Sequence, residues 1–218
     1  LDNMDLERER GITIFSKQAL LPLGEDSFET FSFDWYDGAV QPAFGVSPRA
    51  NMERNFDVCR DYAYQFAKGG GSLLLSGGTG LGKTFLSACI ARVVSENGFS
   101  VVYDTAGNIF AQFELKKFQR DTQDAQEAKD ETRRYLNCDL LILDDLGSEL
   151  TTQFVQSALY TLVNARLMAD KRTVISSNLT MDQVRARYTP QIASRLDGEY
   201  HLLEFFGDDI RLLKKGRL

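Results

Sequence analysis

The chain has 218 residues, 43% of them hydrophobic and 26% charged, with a net charge of −6. That length supports one generous domain with appendages and a full core, and the negative balance excludes a surface that binds nucleic acid everywhere, leaving room for a local basic patch. No apolar run approaches the ~18 residues of a membrane span and no signal peptide is visible, so the expected compartment is the cytoplasm; Cys59, Cys89 and Cys138 lack zinc or disulfide spacing and read as core thiols.

Residues 1–27 alternate charges (Asp5, Glu7, Arg8, Glu9, Arg10) before an apolar GITIF and then LLPLGED, and read as an appendage. The chain opens on Leu1 and not on Met, as a fragment or a processed form would. Residues 28–46, FETFSFDWYDGAVQPAFGV, mix aromatics and turn residues without a period, which predicts an aromatic linker packed onto a domain. Phe28, Phe31, Phe33, Trp35 and Tyr36 are there as docking anchors or as a face for a nucleotide base. Helix signals follow together: Ser47 as N-cap, Pro48 in the first turn, and Met52, Phe56, Cys59, Ala63 and Phe66 at spacings of three and four. They predict an amphipathic helix over 48–67, closed by Lys68 and the glycines 69–71.

Residues 72–84, SLLLSGGTGLGKT, carry the most specific signal. A buried strand over 72–75 enters a glycine-rich turn, and Lys-Thr opens a helix over 84–95. Gly77, Gly82, Lys83 and Thr84 satisfy the phosphate-binding pattern G-x-x-x-x-G-K-[ST] in the strand-to-helix context it requires. The chemistry sets the residue types. Backbone N–H groups of 78–82 must turn inward around phosphate oxygens, which calls for glycines where a Cβ would obstruct the chain. The positive end of the following helix faces the same anion. The candidate binding residues are Gly77, Gly78, Thr79, Gly80, Leu81, Gly82, Lys83, Thr84 and Phe85. Lys83 would meet the β- and γ-phosphates and the Thr84 hydroxyl would ligate Mg²⁺.

Asn97-Gly98 turns the chain into a strand over 100–104, and two helical stretches follow, 107–120 and a strongly charged 121–135. The second is a solvated helix face; alternatively Lys116, Lys117 and Arg120 contact DNA phosphates. The run DLLILDD at 139–145 predicts a strand buried on both faces that ends in two carboxylates. Placed beside the phosphate-binding strand, Asp144 would hold the Mg²⁺ shell and Asp145 would orient and polarise the attacking water. A helix over 151–169 leads to a strand over 171–178 ending on Asn178, which would hydrogen-bond the γ-phosphate or that water. Short helices at 181–188 and 190–196, a strand over 200–206 and a basic helix after Gly207 complete the chain. His201, the single histidine, is expected to be packed or on the surface.

Five strands alternating with helices predict an α/β fold, a three-layer doubly wound parallel sheet. The strings GGTGLGKTFLSACIA, LLILDDLG, VISSN, IASRL and GDDIR resemble those of the DnaC/DnaI helicase loaders and the related IstB transposition ATPases, a branch of the AAA+ superfamily, over residues 28–215. Residues 6–14, LERERGITI, also resemble the first switch of translational GTPases, but they precede the phosphate-binding loop instead of following it, and no N-K-x-D motif occurs. The loader resemblance implies a nucleotide-binding core over 47–197 and a minimal C-terminal lid over 198–218. It makes Lys83 and Thr84 the Walker A pair, Asp144 and Asp145 the Walker B acids and Asn178 the sensor-1 residue. Arg195 falls at the arginine finger, which reaches a neighbouring subunit's γ-phosphate, and Arg211 at sensor 2 in the same subunit; Arg185 and Arg187 are competing finger candidates.

The implied activity is slow, assembly-dependent hydrolysis of ATP to ADP and phosphate with Mg²⁺, coupled to binding of single-stranded DNA and to self-association through the ATP site. The implied partner is a DnaB-type replicative helicase, and no membrane is involved. Two features depart from the pattern. Many AAA+ proteins carry Glu where this chain has Asp145, one methylene shorter, and residues 1–46 do not resemble the helicase-gripping, often zinc-binding, N-terminal domain of the loaders. An IstB-like helper that binds duplex DNA and an ATP-dependent adaptor without hydrolysis are the alternatives.

Overall fold

The computed structural model describes residues 26–118 and 123–216; most of the charged appendage, and Arg120, lie outside them. Strands β1 (Ser72–Gly77), β2 (Val101–Thr105), β3 (Leu140–Leu146), β4 (Arg172–Ser177) and β5 (Tyr200–Phe205) form one sheet in the order β2-β3-β4-β1-β5. Every neighbouring pair is parallel. The three-layer parallel α/β architecture expected from the alternation is therefore the one observed. One expectation about adjacency is corrected: β3 does not lie beside β1, because β4 is inserted between them. Local apolar pattern marks a strand as doubly buried but does not say which doubly buried strand it will pair with.

Successive residues of a strand face opposite sides, and the core divides accordingly. Leu73, Leu75, Tyr103, Leu140, Ile142 and Val174 face helices α1 (Pro48–Tyr64) and α2 (Lys83–Glu96). Leu74, Val102, Leu141, Leu143 and Ile175 face the layer built from α3 (Ala106–Phe118), α4 (Gln123–Asn137), α5 (Gln153–Met168), α6 (Met181–Arg187) and α7 (Pro190–Glu199). Cys59, Cys89 and Cys138 are buried in these cores, and His201 is exposed on edge strand β5.

Ser47 caps α1 through an Ala50 N–H donating to its Oγ at 3.1 Å, with Pro48 in the first turn as its fixed φ favours. The helix ends slightly earlier than its apolar period suggests, and Phe66–Lys68 form a separate 3₁₀ turn. Asn51 and Asn55 each donate from Nδ2 to Glu204 O (2.7 and 2.8 Å), fixing α1 to β5. The opposite layer is tied by Arg166, fully buried on α5, which donates to Thr173 Oγ1, Tyr135 O and Arg172 O and so links α5 to α4 and β4.

The aromatic segment packs on the α1/α2 side. Two 3₁₀ turns, Phe28–Thr30 and Phe33–Trp35, direct their rings inward. Phe28 and Tyr36 are buried, and Phe31 sits 5.1 Å from the Phe56 ring and 5.4 Å from the Phe85 ring. The Tyr36 hydroxyl donates to Leu81 O at 3.1 Å, bringing the segment onto the phosphate-binding loop. A final short helix, α8 (Ile210–Lys215), closes on the same loop through Ile210 N–H donating to Gly80 O at 3.0 Å. Lys116 and Lys117 are exposed at the end of α3. On α4, Ala128, Thr132 and Tyr135 point inward while Arg133 pairs with Asp130 at the surface, as a solvated helix face does.

Candidate nucleotide site

At the carboxyl end of β1 the chain leaves the sheet in conformations that glycine alone adopts without strain. Gly77 has φ 148°, and a Cβ there would lie 2.0 Å from the Phe205 carbonyl oxygen. Gly80 has φ 70°, and a Cβ there would meet the Asp209 carboxylate at 1.8 Å. Gly82 then begins α2 with no side-chain cap, whereas α1, α5, α6 and α7 are all capped by a Ser or Thr hydroxyl. The first-turn N–H groups of α2 are thus left for an anion.

Lys83, only 6% exposed, donates from Nζ to Gly77 O (2.7 Å), Gly78 O (2.5 Å) and Asn178 Oδ1 (3.0 Å). Burial lowers its pKa to about 8, against the opposing pull of Asp144 and Asp145. One residue on, Thr84 Oγ1 lies 3.3 Å from each carboxylate oxygen of Asp144. Asp144 is buried and also accepts from the Ser176 hydroxyl and, at 2.9 Å, from the Tyr103 hydroxyl. Burial raises the Tyr103 pKa and the Asp144 charge raises it further, which keeps that phenol a donor.

Two consecutive acids on a regular strand would point to opposite faces. The β3–β4 register shows why these do not. Leu143 pairs with Ile175 and Leu146 with Ser177, so Asp144 and Asp145 together oppose Ser176, a β-bulge. Asp145 takes the left-handed conformation (φ 59°) and its N–H donates to Ser176 Oγ at 2.9 Å. Both carboxylates consequently reach the same cavity. Asn178, the first residue past β4, donates from Nδ2 to Asp145 Oδ1 at 2.6 Å while its own oxygen accepts from Lys83. One amide therefore joins the lysine of the loop to the second acid.

The cavity has a volume of about 670 Å³, within the range of nucleotide-sized ligand sites. Its floor is the loop from Thr79 to Phe85 with Asp144, Asp145, Ser176 and Asn178. Aromatic residues Phe31, Trp35 and Tyr36 form one wall; Arg211 and Lys214 of α8 stand at another. Lys214 Nζ lies 5.4 Å from the Trp35 ring centroid, a cation–π contact between the two. The donor set fits the expected groups: an uncapped helix start and an ammonium suit a polyphosphate, and the oxygens of Thr84 and Asp144 suit a hard dication such as Mg²⁺. Carboxylates, amide and cations in one partly buried cavity can hold a triphosphate and direct a water molecule at its terminal phosphorus.

The structure brings together Thr79, Gly80, Leu81, Gly82, Lys83, Thr84, Phe85, Asp144, Asp145, Asn178 and Arg211. Gly77 and Gly78 stand behind them and receive Lys83. Arg195 is elsewhere: on α7 it lines a separate cleft of about 310 Å³ at the amino-terminal end of β1, with Gly70, Lys171, Arg172 and Glu199. Of the competing arginines, Arg187 is held by Thr151 Oγ1 and Glu149 O, and Arg185 by Asp182 and Asp197. Sequence reasoning missed Thr30, Ser32, Thr105, Ser176 and Lys214 as lining residues and Tyr103 as a partner of Asp144. Ser176 had a visible signal in its place two residues before Asn178; Thr30 and Ser32 had none.

A family model described as "IstB-like ATP binding protein" matches residues 58–217. The replicative helicase loader DnaC of Buchnera aphidicola subsp. Baizongia pistaciae is 26% identical over 120 residues, 55% of this chain and 48% of that protein. The chain thus spans about half that relative's length. Among solved structures, a crystal structure of DnaI superposes with a TM-score of 0.66 at 19% identity, covering 94% of this chain and 100% of that one. The replication initiator DnaA bound to AMPPCP and single-stranded DNA superposes with a TM-score of 0.65 at 18% identity, covering 89% of this chain and 56% of that one. At such identities these superpositions establish a shared fold and nothing beyond it.

Proposed function

The chain belongs to the IstB-like ATP-binding proteins, and from that premise we propose that it is the ATP-hydrolysing AAA+ module of a helicase-loader-type replication factor, gripping single-stranded DNA when ATP is bound and releasing it after hydrolysis. The observation that carries the reading is the convergence of Lys83, Thr84, Asp144, Asp145 and Asn178 around the uncapped start of α2. In this reading residues 47–197 are the nucleotide-binding core, 198–218 form the lid, and the protein works in the cytoplasm with a replicative helicase as partner.

Lys83 exchanges the Gly77 and Gly78 carbonyls for the β- and γ-phosphate oxygens. Thr84 and Asp144 would hold Mg²⁺, which would neutralise charge on the phosphates. Asp145, fixed by Asn178 on one oxygen, keeps the other to accept a hydrogen bond from the attacking water, and Asn178 follows the γ-phosphate through its link to Lys83. Phe31, Trp35 and Tyr36 enclose the base. Arg211 reads the γ-phosphate within the chain, whereas Arg195, which lines the other cleft, can serve as a finger only toward a neighbouring copy.

Fluorescence anisotropy of labelled single-stranded and duplex DNA, at one fixed low salt, tests the reading when run with ADP, a non-hydrolysable ATP analogue or no nucleotide. Analogue-dependent preference for the single strand is expected. The IstB-like family match belongs equally to a second reading, the IstB-like helper acting on duplex DNA; preference for duplex would decide for it. Binding of neither would remove DNA grip from the account.

A further inference from the structure

The contact between α8 and the phosphate-binding loop carries a consequence for which nucleotide the cavity prefers. Asp209, the residue before α8, places its carboxylate against the turn of the loop. Oδ2 accepts from the Thr79 hydroxyl at 3.4 Å, and the space that a side chain on Gly80 would need is occupied by this carboxylate. The same group caps α8 by accepting the Arg211 N–H on Oδ1 at 2.9 Å. It also holds the Arg211 guanidinium, with Nε 3.4 Å from Oδ1 and Nη2 3.4 Å from Oδ2. These are long contacts, and the arginine side chain is 68% exposed against 20% for Asp209. The anchored partner is therefore the carboxylate, and the arginine is the one free to leave.

An aspartate fixed on a phosphate-binding loop is an unusual neighbour for a polyphosphate, because it adds a negative charge where the ligand brings more. A capping role alone does not require it, since Asn and Ser cap helices about as well without charge. Building on the ATP-site reading above, we infer that Asp209 sets the discrimination between triphosphate and diphosphate. Its carboxylate competes with the γ-phosphate for Arg211, so that only a terminal phosphate, with more charge and more acceptor oxygens than a carboxylate, draws the guanidinium across the cavity. A diphosphate ends short of this contest and leaves the Asp209–Arg211 pair in place. Movement of Arg211 loosens the first turn of α8, which is also tied to the site by the Ile210 N–H bond to Gly80 O and by the Lys214–Trp35 contact. The γ-phosphate is thereby transmitted to the C-terminal segment.

The test compares Asp209→Asn and Asp209→Ser with wild type in the full chain, measuring affinities for Mg²⁺-ADP and for a Mg²⁺-bound non-hydrolysable ATP analogue by calorimetry. Both substitutions keep the cap and remove the charge, and unchanged melting temperatures verify that the fold is intact. The expected result is an analogue affinity raised roughly three- to thirtyfold in both variants, with ADP affinity within about twofold of wild type. An analogue-to-ADP ratio equal to that of wild type in both variants, or a ratio that falls, would overturn the role of Asp209 while leaving the ATP site standing. Failure of the wild-type chain to bind either nucleotide would instead overturn the ATP-site reading itself, and this inference with it.

Discussion

Lys83 shows how much of the site's chemistry rests on single residues. Its ammonium is buried, held by two carbonyls and an amide oxygen, and burial lowers its pKa from 10.5 to about 8. Phosphate binding needs the charged form, and phosphate oxygens beside the ammonium raise that pKa again, so above about pH 8 nucleotide binding must take up a proton. Affinity for the ATP analogue is therefore expected to be level below pH 8 and to weaken by up to about tenfold per pH unit above it, until the pKa of the complex is reached. Calorimetry at pH 7, 8 and 9 in two buffers of different ionisation enthalpy measures both the slope and the proton. The same depressed pKa means that the unfolded chain binds more protons between about pH 8 and 10.5, so the contribution of Lys83 to folding stability rises with pH across that window. The identity of this lysine was legible from the spacing of Gly77, Gly82 and Thr84. Around it the signals were uneven: Asn178 could be placed at a strand end and Ser176 sits two residues before it, but Tyr103, which also holds Asp144, carries no motif of its own.

At the level of the element, the bulge in β3 does what the apolar run could not announce. DLLILDD reads as a strand ending in two acids, and a regular strand would turn one of them away; the left-handed Asp145 opposite Ser176 turns it back. Asp tolerates that conformation better than most residues, whereas a β-branched side chain does not. Asp145→Asn is expected to retain the fold and to bind the ATP analogue within about threefold of wild type, with hydrolysis reduced ~10²-fold or more. Asp145→Val is expected to lose about 1–2 kcal/mol of stability in chemical denaturation, because it forces a β-branched residue to φ 59°. Equal stability of the Val and Asn variants would contradict this account of the bulge. The order of strands escaped sequence reasoning for a related reason. Both β3 and β4 are buried on both faces, so pattern could not tell that β4 would stand between β1 and β3. The segment from Phe28 to Tyr36 has no period at all, and its place at the cavity comes from rings that find Phe56 on α1 and Phe85 on α2.

Over the whole molecule, the two candidate catalytic arginines lie in different places. Arg211 lines the main cavity, and Arg195 lines the cleft at the other end of β1, within 3.9 Å of Glu199. The chain's overall design was the easiest part to read, because strand-helix alternation and a phosphate-binding loop constrain an α/β fold strongly. A residue that acts between molecules leaves no trace within one. If Arg195 reaches a neighbour's γ-phosphate, Arg195→Ala will bind the ATP analogue as wild type does and lose the part of hydrolysis that rises with protein concentration, by ~10³-fold. Specific activity measured across a concentration series tests this, and equal curves for variant and wild type would remove the finger assignment.

In the proposed reading one cavity takes an adenine nucleotide, with its phosphates on the loop and its base against the aromatic segment. Trp35, the chain's single tryptophan, lines that cavity. Titration of its fluorescence with Mg²⁺ and the ATP analogue is the most direct measurement. A saturable change is expected in the wild-type chain and none in Lys83→Ala at the same concentrations. No change in wild type, or the same saturable change in both proteins, would contradict it.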